Sequence, residues 1–447
     1  MEDLRGFMKR LEREGELLNI RKEVDARYIS ALVAQCDKAV YFEKVSGFDF
    51  PVLSGLLNTR RRVALAMRVS DAEIGGKFQE AIDHPFSPKV VKNAPVQDVV
   101  CGGEEVDLAV FPIPLFHQKD GGPYITGGVA CSFDPEYGHN TGMYRMMYRT
   151  RNETGIDLVS PSDMRLYYQR ALDQGKPLEM AVAIGVHPFE MLAASYKAPI
   201  HVDEYSIAGG LHGEPIELVK CTRSDLLVPA NAEIVLECEI LPVGWTHDEG
   251  RFGEFSHIQG DVKWNPIVKV KAITHRKDAV FYALHMPWEN DWLSGPATEA
   301  AALRVLREAS VEAVSVRATP GSCCYWEIIA SIRKRPGEGK NALLALLSLA
   351  EVKLVIVTDD DINIFDPDDI DWALTFRVQA DQDVMIVSGA RGKHIDPSVK
   401  AWTQPKDALP TTAKLGIDAT IPEGVPRSKY ERIRYSFCEE VKLENYI

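Results

Sequence analysis

The order of apolar and polar positions divides the chain into stretches of different texture. In residues 3–14, Leu4, Phe7, Met8 and Leu11 recur on one face with charged residues between them, which predicts an amphipathic helix. A second helical pattern runs over 26–39, and the apolar run VALAM at 63–67 reads as a short strand. Beyond about residue 110 the period shortens. EIVLECEIL (233–241), VKVKAIT (268–274) and AVFYALH (279–285) are rich in strand-forming residues, and the last two flank the polar HRKD, a hairpin pattern. Many short strands with Gly/Pro turns point to a barrel or sandwich over 111–295. From Pro296, PATEAAALRVLREASVEAVSV (296–316) predicts a long helix joining two domains. Further on, NALLALLSLAEV predicts a helix, KLVIVT (353–358) a buried strand, and Asp366-Pro367-Asp368-Asp369 a capped helix start. Cys323 and Cys324 read as a buried pair in a strand. After about residue 405 the periodicity fades, and such a tail suits wrapping around a neighbouring subunit. The fold class is therefore α+β and multi-domain. An N-terminal α/β unit (1–110) precedes a strand-rich middle (111–295), a linker helix (296–316) and a C-terminal α/β domain with its tail (317–447).

Composition narrows the function. With 45% hydrophobic and 26% charged residues, the chain belongs with globular proteins that build ordinary cores. Its net charge of −14 argues against nucleic acid and anionic membrane surfaces, which call for clustered positive charge; a small molecule is the expected partner. No apolar run approaches the roughly 20 residues that span a bilayer, and the charged N-terminal helix is no signal peptide. Eight cysteines in 447 residues are too sparse for a disulfide framework, and neither C-x-x-C nor H-E-x-x-H is present. A reducing cytoplasm is the expected compartment.

Four segments carry candidate chemistry. HNTGMYRMMYRT (139–150) combines the amide of Asn140, Gly142, and Arg145, whose planar fork suits a carboxylate or phosphate. A surface strand with snorkelling arginines accounts for the same residues. In THDEGRFGEFSH (246–257), Glu249 and Glu254 bracket two glycines, so a turn can bring both carboxylates to one pocket beside an arginine. One then stays ionised while the other can carry a proton; a solvated acidic turn is the alternative. Glu204 in HVDEYSIAGGL and Asp163 in SPSDMR add oxygen donors, which with Asn140 suit Mg²⁺ or Mn²⁺ better than zinc. TDDDINIFDPDD (358–369) is the most acidic run. Asp359, Asp360 and Asp361 suggest a Mg²⁺-dependent phosphoryl-transfer enzyme, yet no phosphate-binding glycine loop accompanies them, and a strand-end turn and helix cap is the better account of the run.

In family order, several of these segments resemble the UbiD family of prenylated-flavin-dependent decarboxylases, over almost the whole chain. N-T-G-M-Y-R (140–145) resembles its N-x-G-x-Y-R segment, and E-G-R-F-G-E (249–254) its E-G-P-[FY]-G-[ED] segment, with Arg251 in place of the usual proline. DEYSIAGGLHGEPIELVKC (203–221), the following DLLVPANAEIVLE, DDDINIFDPDDIDWAL and KLGIDAT (414–420) are similar to further signatures. The resemblance implies a split β-barrel that binds prenylated FMN, with catalytic residues Arg145, Glu249 and Glu254. It places Asn140, Met143, Tyr144, Arg145, Ser162, Ser195, Tyr196 and Glu204 at the cofactor, the methionines and tyrosines forming a dry pocket. Asn140, Glu204 and Asp163 would hold Mn²⁺ or Mg²⁺, with Asp163 standing where the family usually has histidine; K⁺ is a further candidate cation. His285 and Trp288, with Trp292, fall where the substrate would sit. The substrate would be an aromatic, heteroaromatic or α,β-unsaturated carboxylic acid, a furan dicarboxylate among the candidates, and the assembly a homodimer or homohexamer. A flavin prenyltransferase would supply the cofactor. A non-catalytic flavin-binding scaffold is the competing use of the same fold.

Overall fold

A computed structural model describes residues 1–393, 395–399, 410–433, 436–437 and 440–447. The N-terminal helix forms as expected over Leu4–Arg13, capped by Asp3, and buries Leu4, Phe7 and Leu11. It packs beside a four-stranded sheet ordered Leu17–Ile20, Ala39–Phe42, Val52–Ser54, Phe281–Ala283. The last strand arrives from the far end of the middle region and pairs in parallel with Val52–Ser54.

A large antiparallel sheet forms the middle. Its strands run in the order Tyr124–Ile125, Met146–Thr150, Glu153–Gly155, Ile267–His275, Ile234–Ile240, Leu178–Ile184, Gly128–Asp134 and Gly138–Met143, and Val99–Gly102 also pairs with Ile267–His275. Leu178–Ile184 is buried at all but one position, so its sequence is nearly continuously apolar. A bulge opposite Glu237 and Cys238 adds twist to the neighbouring pair and helps the sheet curl into a half-barrel. One apolar core runs without a break from the N-terminal helix through this sheet to Leu293 and Ala300.

The C-terminal sheet has the order Ala313–Ala318, Glu327–Ile332, Leu354–Asp359, Thr411–Ala419, Val384–Arg391. Separate apolar clusters cover its two faces, one around Ala342, Leu343 and Leu346, the other around Ile356, Ile364 and Ile370. Asp366 caps the helix Pro367–Arg377 as expected. No helix among the described residues is long and apolar enough to cross a membrane.

Several elements differ from expectation, each for a physical reason. VALAM lies inside the helix Arg60–Met67, started by a Thr59 cap; five apolar residues are too few to distinguish the two periods. The pattern over 26–39 yields a 3₁₀ turn, Ala26–Tyr28, and a short helix, Ile29–Val33, before the strand at Ala39. The hairpin across HRKD does not form. Glu233 accepts from Arg5 Nε and Nη2, both at 2.8 Å, and from the Val280 amide at 3.0 Å, so the chain is drawn to the N-terminal sheet. The linker helix spans Trp288–Glu308, starting eight residues before 296 and carrying Pro296 within it. Residues Ala313–Ala318 are strand. Cys323 and Cys324 both adopt left-handed backbone in a turn ahead of Glu327–Ile332. The tail from 405 lies partly outside the described residues; from 440 on it is exposed.

Glu289, in the first turn of the long helix, is wholly buried. It accepts from the amides of Gly55 (3.0 Å), Leu57 (2.9 Å) and His285 (2.8 Å) and from the Tyr282 hydroxyl. Glu289→Ala strands four interior donors, and each such loss costs about 1–3 kcal/mol. Chemical denaturation is expected to show a loss of at least about 3 kcal/mol.

Candidate active site

Arg145 follows the strand Gly138–Met143 and turns inward. Its Nε and Nη2 donate to the two oxygens of Glu249 at 2.8 and 3.0 Å. Nη1 donates to Glu254 Oε2 at 2.8 Å, and Nη2 also meets Asp157 Oδ2 at 2.8 Å. Lys263 Nζ reaches Glu254 Oε1 at 2.8 Å and Asp157 Oδ2 at 3.6 Å. The Phe252 ring lies 4.8 Å from the guanidinium carbon. Two cations thus meet three carboxylates in a nearly closed site, a net charge of −1 when all are ionised.

Asp157 and Lys263 were not read from the sequence. Lys263 had a signal: HDE and KWN pair as antiparallel strands, with Glu249 directly opposite Lys263, a cross-strand ion-pair position. Asp157 had none; it is one acid in a mostly apolar stretch, tied back when its amide donates to the Arg145 carbonyl at 3.3 Å.

Burial acts on each acid differently. It raises the Glu249 carboxyl, and Arg145 offsets the rise only in part. It also pushes Asp157 upward, but Arg145 and Lys263 outweigh it and hold that group below its ordinary value. Burial works against the charge on Arg145 too; Asp157 and Glu249 prevail and raise it.

The loop carrying both glutamates is clamped from beneath. The Gly121 amide donates to Arg251 O at 2.7 Å, the Gly253 amide to Asp120 Oδ1 at 2.8 Å, and the Tyr124 hydroxyl to Gly250 O at 3.0 Å. Gly121 and Gly250 meet backbone to backbone: a Cβ on either would stand 2.3 Å from the other's Cα. Glycine is required here for close approach. Met147 Sδ receives the Gly250 amide at 3.4 Å, while Met146 is core. These two methionines therefore support the loop and the sheet, where a dry pocket wall had been expected.

The expected metal ligands fall in two groups. Asn140 sits on Gly138–Met143, and Glu204 opens the helix Glu204–His212. Asn140 Nδ2 donates to Glu204 Oε1 at 3.3 Å, and the Thr141 amide to Oε2 at 2.8 Å. Asn140 Oδ1 is buried with no hydrogen-bond partner among the described residues. Burial, with Asp203 and Asp163 adding to it, raises Glu204 to about 8. Asp163 begins the helix Asp163–Asp173 behind its Ser162 cap and is itself raised by burial. Tyr144 is folded over Gly142 near Ser162, and Met143 is half-buried beside the core. Ser195 donates to Met191 O at 2.8 Å and Tyr196 packs edge-on against Phe78.

Of the expected substrate residues, His285 is buried with Nδ1 unbonded among the described residues. Trp288 is half-exposed and stands edge-on over His257 at 4.2 Å; Trp292 is buried. His257 Nε2 meets Asp291 Oδ2 at 2.7 Å. Two surface clefts, of about 420 and 650 Å³, share no residue with the Arg145 network.

The acidic run at 359–361 does not present a free metal cradle. Asp361 is gripped by Arg377 at 3.0 and 2.6 Å, Asp359 Oδ2 accepts the Ile421 amide, and Asp360 pairs with Arg427. It serves as strand end and domain brace.

Family models match most of the chain. The family models of the 3-octaprenyl-4-hydroxybenzoate carboxy-lyase N-terminal, Rift-related and C-terminal domains match residues 8–82, 89–287 and 291–419. The chain is 33% identical over 445 residues to the anhydromevalonate phosphate decarboxylase of Methanothermobacter thermautotrophicus, covering 97% of this chain and 100% of that one. It superposes on the UbiD-class enzyme HmfF from Pelotomaculum thermopropionicum in complex with FMN, with a TM-score of 0.93, 39% identity and 100% of both chains covered. Apo 3,4-dihydroxybenzoic acid decarboxylase from Klebsiella pneumoniae matches with a TM-score of 0.90 at 26% identity, over 100% of this chain and 99% of that one.

Two outcomes follow from the clamp and the buried imidazole. Gly250→Ala forces the Gly121 and Gly250 backbones apart and is expected to cost about 1–3 kcal/mol by denaturant titration. His285 is lowered from 6.5 to about 4, by burial first and His117 second. The unfolded chain therefore takes up a proton that the folded one refuses. The stability from neutral His285 is complete above the unfolded value and lost as pH falls from 6.5 toward 4. His285→Gln is expected to lose less of its urea midpoint than wild type between pH 7 and pH 5.

Proposed function

The chain belongs to the UbiD carboxy-lyase family, and on that premise we propose reversible, non-oxidative decarboxylation of an unsaturated carboxylic acid with prenylated FMN. The acid would be aromatic, heteroaromatic or α,β-unsaturated. The observation that carries this reading is the Arg145 guanidinium held between Glu249 and Glu254.

Loss of CO₂ from an sp² carbon leaves an anion with no neighbouring orbital to spread into, and no side chain offers an electron sink. A bound prenylated flavin supplies that sink. The residues present fit such a group. Asn140 Oδ1 lacks a partner among the described residues, and burial, with the neighbouring carboxyls Asp203 and Asp163 adding to it, raises Glu204. Asn140, Glu204 and Asp163 would hold Mn²⁺ or Mg²⁺ at the flavin phosphate, with K⁺ as a further cation. Met143, Tyr144, Ser162, Ser195 and Tyr196 would complete the cofactor site.

The chain's own residues then divide the work. Arg145 steers the substrate carboxylate, and Glu249, through its two-point grip, fixes the guanidinium plane. Glu254 delivers the proton that replaces CO₂ and removes it in the reverse direction. Both Glu254 oxygens accept from cations, so one contact must open for the carboxyl to carry a proton; Lys263, on the less buried side, is the group to release it. His285 and Trp288 would meet the substrate from the far side.

Relatives are named for anhydromevalonate phosphate and for 3,4-dihydroxybenzoic and vanillic acids, which supports a broad class of acid. One HmfF relative is described as an evolved dimeric form. A homodimer or homohexamer, a flavin prenyltransferase as cofactor supplier and a cytoplasmic setting belong to the same proposal. The exposed apolar tail residues Leu443, Tyr446 and Ile447 support a second copy as neighbour.

The test is co-expression with a flavin prenyltransferase, then CO₂ release and hydrogen–deuterium exchange over a panel of unsaturated acids. Glu254→Gln is expected to slow both by roughly 10²–10⁴-fold with cofactor still bound. Wild-type turnover in that variant would remove the proton-donor role. Bound flavin without exchange on any acid would favour the scaffold reading.

A further inference from the structure

A second cluster of metal-ligating groups lies apart from the site above. His187 caps the helix Pro188–Ser195, Glu190 sits in its first turn, and His212 ends the helix Glu204–His212. His212 Nε2 is 3.5 Å from Glu190 Oε1, and His187 Nδ1 is 4.0 Å from Glu190 Oε2. Ligand atoms of all three lie within 4.8 Å of one another. The side chains are 1%, 4% and 4% exposed.

The surroundings make this costly as it stands. Phe189 packs edge-on against both imidazoles and Phe7 against His187. Yet His187 Nε2, Glu190 Oε2 and His212 Nε2 are each buried with no hydrogen-bond partner among the described residues. A buried polar atom left so costs about 1–3 kcal/mol, and Glu190 Oε2 and His212 Nε2, on facing side chains, call for a common partner. The nearest further group is Glu2, whose Oε2 is 3.5 Å from His187 Nε2; it also faces Arg10 and Arg68, which balance its charge.

We propose that His187, Glu190 and His212 form a binding site for a zinc-like divalent transition metal. Two imidazole nitrogens and one carboxylate oxygen are the donor set such an ion prefers. The oxygen set at Asn140 and Glu204 instead favours a harder cation. With bonds of about 2.0–2.1 Å, a tetrahedral ion needs its donors roughly 3.4 Å apart; His212 Nε2 and Glu190 Oε1 stand at 3.5 Å, and His187 Nδ1, 4.0 Å from Glu190, would exchange the Phe189 amide it accepts at 3.2 Å for the ion. The fourth position is left for water. The ion would tie the helix Pro188–Ser195 to the helix Glu204–His212. Glu204 and His212 are the two ends of one nine-residue helix, about 12 Å apart along its axis, so the two metals are separate.

The experiment uses the full chain prepared without flavin, stripped with chelator and dialysed against Zn²⁺. Metal analysis is expected to give about one tightly retained zinc per chain. Glu204→Ala should retain it, and His212→Gln and Glu190→Gln should lose it while keeping the wild-type circular dichroism spectrum. Co²⁺ in its place should show tetrahedral visible bands without thiolate charge transfer. Zinc retained in both His212→Gln and Glu190→Gln overturns the assignment, as does no retained zinc in wild type. A thiolate band would move the site to the other cluster, His257, Asp291 and Cys323.

Discussion

An arginine cannot give up its proton to escape burial, and Arg145 is 13% exposed. That single constraint organises the centre of this protein. The guanidinium has to be met by anions, and the chain supplies them from two separate segments, Asp157 from one and Glu249 with Glu254 from the other. Each approach is then fixed by something else: a two-stranded pairing for Glu249, a glycine-to-glycine contact for the loop, a backbone bond for Asp157. Neutral partners would satisfy the hydrogen bonds but leave the charge uncompensated in a low-dielectric site, a far larger cost than a surface ion pair returns.

The same device recurs wherever distant parts of the chain meet. Glu233 joins the N-terminal helix to the end of the large sheet, Glu289 joins the long helix to the N-terminal sheet, and Glu299 joins it to Arg60 and the Ala318 amide. Each is a buried carboxylate taking several donors, a geometry in which satisfaction is complete or the fold is wrong. Specificity of docking comes from these acids; the apolar core beneath them supplies cohesion without direction.

Much of this was legible beforehand. The helix at Leu4–Arg13, the buried strand at 354–359 and the Asp366 cap were readable because period, length and capping residue all agree there. The motifs NTGMYR and EGRFGE were readable as a pair because they share a resemblance. Local pattern failed where a long-range contact decided. VALAM became helix under a Thr59 cap, HRKD turned without making a hairpin because Glu233 captured the following strand, and the Cys323–Cys324 pair turned left-handed. Asp157 had no local mark, since what makes it matter is a cation 12 residues away in sequence and adjacent only in space.

The parallel pairing of Phe281–Ala283 with Val52–Ser54 carries a consequence for biosynthesis. Until the ribosome has delivered residue 283, the N-terminal sheet has an unfinished border with free amides and carbonyls along Val52–Ser54. Such a border invites pairing with another nascent chain, and its closure waits on a contact between very distant residues, the slow kind. The first hundred residues are therefore no module to be cut out and grafted elsewhere: they are completed by a strand that the middle of the gene encodes.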